Sequence, residues 1–365
     1  MVSKIYRALG LMSGTSLDGI DVALLETDGE GFVKRGPSAT FGYGADQQQI
    51  LRQALADALH IQKRQERPAS LAQAENMITQ WHIEAVQNFI ERFHLSDSKI
   101  DLIGFHGQTV LHKPEAKLTV QLGDGLALAK ATGIDVVYDM RAHDVAAGGQ
   151  GAPLVPAYHR ALAPERPIAF VNIGGVANVT YVGKNDEVLA FDTGPGNALL
   201  NDWMMKHQGQ AFDDGGKMSL VGQVSRPHLA MALAHFYFKE KPPKSLDRNS
   251  FAKFSFESLS VENGAATLAA ITAQSIAASA QWFPEAPKRW VICGGGRHNV
   301  AIMNMLRELL PNVVAAEDLN LDGDSMEAEA WAYLAVRSIK GLPLTFPGTT
   351  GVKNATSGGV LAKPI

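Results

Sequence analysis

Apolar runs of strand length alternate along this chain with polar turns and helical patterns, and the first pair sets the theme. Ala8-Leu9-Gly10-Leu11 and Ile20-Asp21-Val22-Ala23-Leu24-Leu25 flank Met12-Ser13-Gly14-Thr15-Ser16-Leu17-Asp18-Gly19, a turn rich in glycine, hydroxyls and acid. Apolar runs around such a turn predict a β-hairpin. The pattern returns at Ala169–Ile173, Gly174-Gly175 and Val176–Tyr181. Glycine lets backbone N–H groups converge on an anion with no Cβ in the way. Two matching hairpins therefore predict a duplicated fold that grips a polyphosphate from both sides.

Between the hairpins the pattern predicts a strand over Ala39–Tyr43 and helices around Gln47–Leu59 and Ser70–Phe93. A buried strand follows over Ile100–Phe105, leading into His106-Gly107-Gln108-Thr109. Asp124–Thr132 reads as a helix and Ile134–Tyr138 as a strand ending at Asp139-Met140-Arg141. Ala146–Pro153 is too glycine-rich for regular structure and reads as a hinge or site loop. Beyond the second hairpin, a strand over Val188–Phe191 runs into Asp192-Thr193-Gly194-Pro195-Gly196-Asn197, where a helix starts. Lys239–Ser250 reads as surface loop and Ala265–Phe283 as a long helix. Trp290–Cys293 reads as a strand before Gly294-Gly295-Gly296, and Asn299–Leu310 as a helix. Ser325 reads as the N-cap of a last helix running to Ile339. Alternating strands and helices predict an α/β fold in two halves.

Composition narrows the class. At 365 residues, 46% hydrophobic and 19% charged, the chain can form two cored domains and is not broadly disordered. A formal net charge of −4 provides no basic footprint for nucleic acid. No apolar run has membrane-spanning length, and Ala265–Ala280 is interrupted by Thr, Gln and Ser. Lys4 and Arg7 precede too few apolar residues for a signal-peptide core. The single cysteine, Cys293, forms no internal disulfide, which fits a reducing compartment; cytoplasm is the default expectation.

Several motifs carry chemistry, each with a plainer reading beside it. Ser13, Thr15, Ser16, Asp18 and Asp21 load the first turn where a Mg²⁺ ion could lie near phosphates; equally, its hydroxyls could satisfy local backbone groups. The common phosphate loops are missing: Gly215-Gly216-Lys217-Met218 lacks the upstream glycine and following hydroxyl, and Gly294-Gly295-Gly296 lacks dinucleotide spacing. Asp192 stands at the end of an apolar strand, where open α/β sheets place ligands, although an Asp there can simply cap a helix. The glycines around it favour function. Glu327, near Asp322, Asp324 and Glu329, reads locally as a macrodipole acid in a first helical turn. The histidines, His106 and His112 among them, have no metal-ligand spacing, and Cys293 reads as a small buried residue.

The order of these motifs is familiar as a whole. Gly14–Asp21, Gly104–Thr109, Asp139-Met140-Arg141, Asp144–Pro156, Asn172–Gly175, Phe191–Asn197, Cys293–Gly296 and Met326-Glu327-Ala328 together resemble the anhydro-N-acetylmuramic acid kinase family, within the actin, hexokinase and Hsp70 ATPase superfamily. The resemblance spans essentially the whole chain. It implies two actin-like (ribonuclease H-like) domains flanking an ATP-binding cleft, at 1–140 with 345–365 and at 141–344. It also implies ATP contacts at Gly14, Thr15, Ser16, Leu17, Asp18, Gly19, Ile20 and Asp21, and at Asn172, Gly174, Gly175, Gly294 and Gly295. Asp192 falls on the catalytic aspartate, and Glu327 rises to a catalytic and substrate-binding residue. His106 and Arg141 fall on the sugar-lining segments. Mg²⁺ would be held near Asp18 through phosphates or water, and the family suggests a homodimer.

The resemblance further implies an unusual reaction. The sugar carries a 1,6-anhydro bridge, so water activated by Asp192 attacks the anomeric carbon while the bridge oxygen captures the γ-phosphoryl group of ATP. The product would be N-acetylmuramic acid 6-phosphate, formed in cell-wall recycling, and Arg141 would suit the sugar's lactyl carboxylate; the alternatives are a conventional sugar kinase of the same superfamily and a nucleotide-gated actin-like binding protein. This chain departs from the family at His143, where Arg or Ala is common in that motif, and at Lys244-Ser245-Leu246-Asp247-Arg248-Asn249, where Lys-Ser-Thr-Gly-Arg-Glu is common.

Overall fold

The computed structural model describes residues 4–14, 16–96, 99–246, 248–251 and 254–364, with the backbone alone at 248 and 249. The chain divides into two compact units, Met1–Leu162 with Ser325–Ile365, and Ala163–Asp324.

The first unit opens on a meander of β1 (Tyr6–Ser13), β2 (Gly19–Thr27) and β3 (Val33–Gly42). Helices α1 (Ala45–Ala58) and α2 (Leu71–Arg92) follow, then β4 (Leu102–Lys113), β5 (Leu118–Leu122), α3 (Gly125–Thr132) and β6 (Asp135–Tyr138). Short helices α4 (Ala142–Ala146) and α5 (Pro156–Leu162) lead out of it. The second unit contains β7 (Ile168–Ile173), β8 (Val176–Val182), β9 (Val188–Pro195), α6 (Ala198–Gln208), α7 (Lys217–Val221), α8 (Arg226–Leu233) and α9 (Val261–Ala278). It closes with β10 (Trp290–Cys293), α10 (Val300–Leu309) and β11 (Val313–Ala315). The chain then returns to the first unit as α11 (Met326–Ile339), α12 (Pro347–Thr350) and β12 (Val360–Ala362).

The predicted duplication is present in the topology. In the first sheet the order is β12-β6-β4-β1-β2-β3, with β5 paired to β4; in the second it is β11-β10-β7-β8-β9. In both, an antiparallel meander (β1–β3 or β7–β9) is extended by two parallel strands beside its first member. Each parallel crossover needs a helix on a sheet face. That is why the meanders carry tight turns and the later strands alternate with helices.

The division differs from the expected bounds at 140/141 and 344/345. Helix α11 packs on β1, β2 and β4, which draws Ser325–Ile365 into the first unit. Its approach depends on two glycines. A Cβ on Gly10 would overlap the Ala328 carbonyl oxygen, and one on Gly104 would overlap that of Trp331. Backbone thus meets backbone where any side chain would hold helix and sheet apart. Gly104→Ala should therefore destabilise the protein by about 3 kcal/mol or more, as overpacking against rigid backbone does. A urea melt showing a loss under about 1 kcal/mol would contradict this packing account.

Two strands outrun their apolar segments. β4 continues through His106 to Lys113 and pairs with β5, which the sequence pattern did not reveal. β9 continues through Asp192 to Pro195, pairing Asn178 with Asp192 and Ala177 with Gly194 across a register shift. Asp192 therefore lies within a strand instead of at its end. The ladder uses main-chain groups, so polar side chains do not stop it where hydrophobicity stops. The bulge beside Asp192 re-aims local side chains, a common device next to sites.

The core of the first unit includes Leu9, Leu11, Val22, Ile78, Phe89, Ile103, Phe105 and Val136. That of the second includes Val171, Ile173, Val179, Phe191, Ala269, Ala273, Ile292 and Leu306. The alanine-rich α9 is buried along most of its length, and Gly264 admits the ring of Trp203. Among the described residues, no helix is long and apolar enough to cross a membrane.

Candidate functional site

In the first unit the β1–β2 turn is shaped by main-chain bonds. Leu17, at φ +58°, donates its N–H to the Gly14 carbonyl at 3.3 Å. Gln108 Nε2 donates to the same carbonyl at 3.1 Å, and Tyr43 N–H to the Asp18 carbonyl at 2.9 Å. Ser16 Oγ donates to Asp18 Oδ1 at 2.8 Å, and Thr40 Oγ1 to Asp21 Oδ1 at 2.6 Å. The Asp18 carboxylate is exposed at the tip, whereas Asp21 sits within β2. Leu17 and Ile20 are buried core residues, so only their main chain is left for a ligand. Thr15 lies outside the described residues.

The glycines predicted to face phosphate separate into two kinds. Gly19 and Gly294 are demanded by the fold: a Cβ on Gly19 would come within 2.6 Å of the Phe41 oxygen, while Gly294 has φ +72° and would overlap Asn172 Oδ1. At Gly14, Gly174, Gly175 and Gly295 the nearest atoms to an added Cβ are 3.3, 3.6, 3.6 and 3.9 Å away, and none has a left-handed φ. Neither packing within the chain nor backbone conformation calls for glycine at the last three, and Gly14 is only mildly crowded by the Ser16 hydroxyl. Open space at such positions fits a ligand that approaches the main chain closely.

His106, Arg141 and Glu327 come together in the first unit. Buried His106 has its Nδ1 3.1 Å from the Ser13 carbonyl oxygen, so that nitrogen carries the proton. Its Nε2 then accepts from Arg141 Nε at 3.1 Å. Burial, and next the Arg141 charge, push this imidazole well below its ordinary pKa, which keeps it neutral and able to accept. Both ring nitrogens are thus engaged inside the chain. His106 was expected at the sugar; its observed contacts instead hold the arginine.

Arg141 also donates Nη1 to the Gly151 carbonyl at 2.9 Å and lies 5.2 Å over the Trp331 ring. Burial lowers its pKa to about 10, so it stays charged at neutral pH. Glu327, in the first turn of α11, is pushed up by burial, and by Asp21 and Asp18, against the pull of Arg141. The first unit therefore sets a half-buried cation beside a half-buried carboxyl and near the hairpin acids.

The expected hinge, 146–153, lies inside this unit and is anchored. Asp144 accepts from Gly151 N–H at 2.6 Å and from Thr350 Oγ1 at 2.6 Å, while Gln150 N–H donates to the Thr350 carbonyl at 2.7 Å. Its glycines serve a loop that seats Arg141, not a link between the units. Buried Asp144 was missed because its partner is 206 residues away in sequence. Glu329, accepting from Tyr158 Oη at 2.7 Å, was missed for the same reason. His143 is exposed on α4. Beside the Gly107 turn a cavity of about 330 Å³ opens, walled in part by Arg64, Arg67, Glu75, Gln121 and Asp139.

In the second unit, Asn172 lies near the end of β7, and Gly174 and Gly175 form the β7–β8 turn, closed by Asn197 N–H donating to the Gly174 carbonyl at 2.7 Å. Asn197 Nδ2 donates to the Ile173 carbonyl at 3.2 Å. Gly294 and Gly295 follow β10, next to β7, so one sheet edge carries all five. Arg297 braces this loop through paired bonds of 2.7 Å to Asp324 and one of 2.9 Å to Glu317. Cys293 is buried, its thiol pushed up to about 12 by burial, which suits packing and not nucleophilic attack.

Asp192 projects from β9 with Oδ2 accepting the Leu246 N–H at 2.7 Å. Burial pushes its carboxyl up from 3.8 to about 7, opposed by that hydrogen bond. A carboxylate poised near neutrality is suited to accepting a proton from water. Lys239–Ser250, expected as a surface loop, is exposed at Lys239–Lys241, Pro243 and Ser245, while its centre bonds to Asp192 and Lys244 is half-buried. Asp247 lies outside the described residues. Among the described residues no group of three or more His, Cys, Asp or Glu side chains is placed to hold a metal.

The model of a known family, anhydro-N-acetylmuramic acid kinase, matches residues 6–364. The chain belongs to the anhydro-N-acetylmuramic acid kinase family. An anhydro-N-acetylmuramic acid kinase of Agrobacterium fabrum is 50% identical over 99% of this chain and 100% of its own length. Those of Bradyrhizobium diazoefficiens and Rhodopseudomonas palustris strain CGA009 are each 51% identical over 98% of this chain and 99% of theirs. Among solved structures, the activator of the 2-hydroxyisocaproyl-CoA dehydratase from Clostridium difficile, with bound ADPNP, is similar at 14% identity. It has a TM-score of 0.47 and covers 92% of this chain and 96% of that one, too slight a likeness to bear on function.

Proposed function

We propose that this kinase uses ATP to open the 1,6-anhydro ring of anhydro-N-acetylmuramic acid and phosphorylate O6, giving N-acetylmuramic acid 6-phosphate and ADP. The observation that carries the reading is Asp192, held within β9 with a carboxyl near pKa 7 in a chain of this family. Asp192 takes a proton from water as the water oxygen bonds to the anomeric carbon. The bond from that carbon to the bridge oxygen breaks, and the bridge oxygen, still on carbon 6, bonds to the γ-phosphorus as the bond to ADP breaks. Proton transfer to a positioned base of matched pKa is the step the protein itself supplies.

Gly14, Gly174, Gly175 and Gly295 present main-chain N–H groups to the phosphates, with Ser16 and Thr15 adding hydroxyls. Arg141, held flat by His106 and Gly151, pairs with the lactyl carboxylate, and Glu327 orients water or a sugar hydroxyl. Mg²⁺ would be held near Asp18 through phosphate oxygens and water, neutralising charge on the transferred group. Action as a homodimer in the cytoplasm belongs to the same reading.

Mass spectrometry of products made from ATP and anhydro-N-acetylmuramic acid in ¹⁸O-water tests it. Heavy oxygen should appear at the anomeric carbon and not in the phosphate ester. Label in the oxygen joining carbon 6 to phosphorus would overturn the mechanism. Turnover only of sugars with a free hydroxyl would make the protein a conventional sugar kinase.

A further inference from the structure

The 244–246 segment is tied to Asp192 at two points, and Tyr237 links the two through two further bonds. Asp192 N–H donates to the Lys244 carbonyl at 3.1 Å, and Leu246 N–H returns to Asp192 Oδ2 at 2.7 Å. Tyr237 Oη donates to the Asp192 main-chain carbonyl at 2.5 Å. Lys244 Nζ donates to the Tyr237 carbonyl at 2.8 Å, which closes the ring of contacts.

Lys244 is an odd residue for a surface loop. Its ammonium lies 4.3, 5.7 and 5.9 Å from the ring centres of Tyr237, Trp282 and Phe191. Burial lowers its pKa, with Glu240 opposing. A lysine that gives up hydration for one carbonyl and three aromatic faces acts as a peg. Among the described residues, the titratable or charged groups near Asp192 are Tyr237 and Lys244, with Glu240 behind them.

We propose that Tyr237 and Lys244 are positioning residues that clamp the 244–246 segment as a strap over Asp192, so that the Leu246 N–H holds Oδ2 and Oδ1 is the oxygen that takes the proton. The inference rests on Asp192 being the base. A carboxylate otherwise rotates between equivalent oxygens, and a fixed N–H on one oxygen both orients it and favours its charged form. Because the donor is main chain, the side chain at 246 can vary. That explains how leucine stands where threonine is common in the family without loss of the contact.

The test compares Leu246→Pro, which deletes the N–H, with Leu246→Ala, which keeps it, and adds Lys244→Met. Two readouts are taken: the pH profile of kcat/KM for the anhydro-sugar, and the ¹³C carboxyl titration of Asp192 in labelled protein, which needs no turnover. Leu246→Ala should match wild type. Leu246→Pro should move the acid limb and the Asp192 titration upward by about one pH unit, the worth of a hydrogen bond to a charged group. Lys244→Met should move both in the same direction and lower kcat about tenfold, with the KM for ATP unchanged. A folded Leu246→Pro protein titrating like Leu246→Ala overturns the strap. Should Leu246→Pro not fold by circular dichroism, Lys244→Met decides: a wild-type kcat, or a titration unmoved or moved down, overturns it. Wild-type protein inactive on the anhydro-sugar would instead count against the proposed reaction, while the titrations would still test the strap.

Discussion

Replacing Asp192 by Asn should lower kcat by about 10²–10⁴-fold, the range for losing a general base, while the dissociation constant for ATP barely changes. The substitution keeps shape and an acceptor for the Leu246 N–H, so the loss isolates proton acceptance. In wild type, kcat/KM should rise with pH through about 7, because only the ionised carboxylate is a base. The same shift has a stability consequence of opposite sense. The folded protein keeps the proton up to about pH 7, whereas the unfolded chain releases it near 3.8. Asp192 therefore costs stability increasingly as pH rises through that window, and fully above it. Asp192→Asn should melt higher than wild type at pH 8, and the difference should vanish near pH 4. Near-normal turnover by this variant would place the base elsewhere; a lower melting temperature at pH 8 would mean that the carboxylate is not destabilised by burial.

Arg141→Lys should lower kcat/KM for the sugar by about 10²-fold or more while leaving ATP binding nearly intact. Arginine here makes two directed bonds, to His106 Nε2 and the Gly151 carbonyl, and lies over Trp331. A lysine cannot reproduce that fork or its planar stacking. Arg141 also pulls down the pKa of Glu327, which burial raises. Arg141→Met, which removes the charge altogether, should therefore shift the Glu327 titration upward and leave more of that carboxyl protonated at neutral pH. Equal kcat/KM for Lys and Arg at 141 would reduce the residue to a bare positive charge. Replacing His106 by Phe should reproduce part of the Arg141 defect, because it removes the acceptor and not the cation.

The hairpins and the main strands and helices were legible from residue order, and Asp192 stood out there as a candidate, because each rests on local chemistry. Glycine with hydroxyls marks a tight turn, and apolar runs mark buried strands. Asn197 and Asn299 stand at the starts of α6 and α10 as the pattern implies. What local chemistry did not reveal was β5 and β12, short strands defined by their partners, and the continuation of β9 through Asp192, which depends on the ladder to β8.

Glu327 shows the division most clearly. On its own segment it is an ordinary acid in a first helical turn; only the packing of α11 on β1 and β4 sets it beside Arg141. The same packing moves the unit boundary to Asp324/Ser325. Gly10 and Gly104 make that approach possible, yet neither looks special in its strand. The Lys239–Ser250 segment read as exposed loop from its charges and prolines, and its described residues are mostly exposed; that Lys244 and Leu246 bond to Asp192 was hidden because main-chain groups carry the contact. By itself the sequence determined the repeated β-hairpin, its glycine-rich turns and the family. The tertiary structure alone decided which acids lose solvent, which glycines the packing does not demand and which residues bond to Asp192 and Arg141. Desolvation and orientation depend on groups far apart along the chain, and local pattern has no access to them.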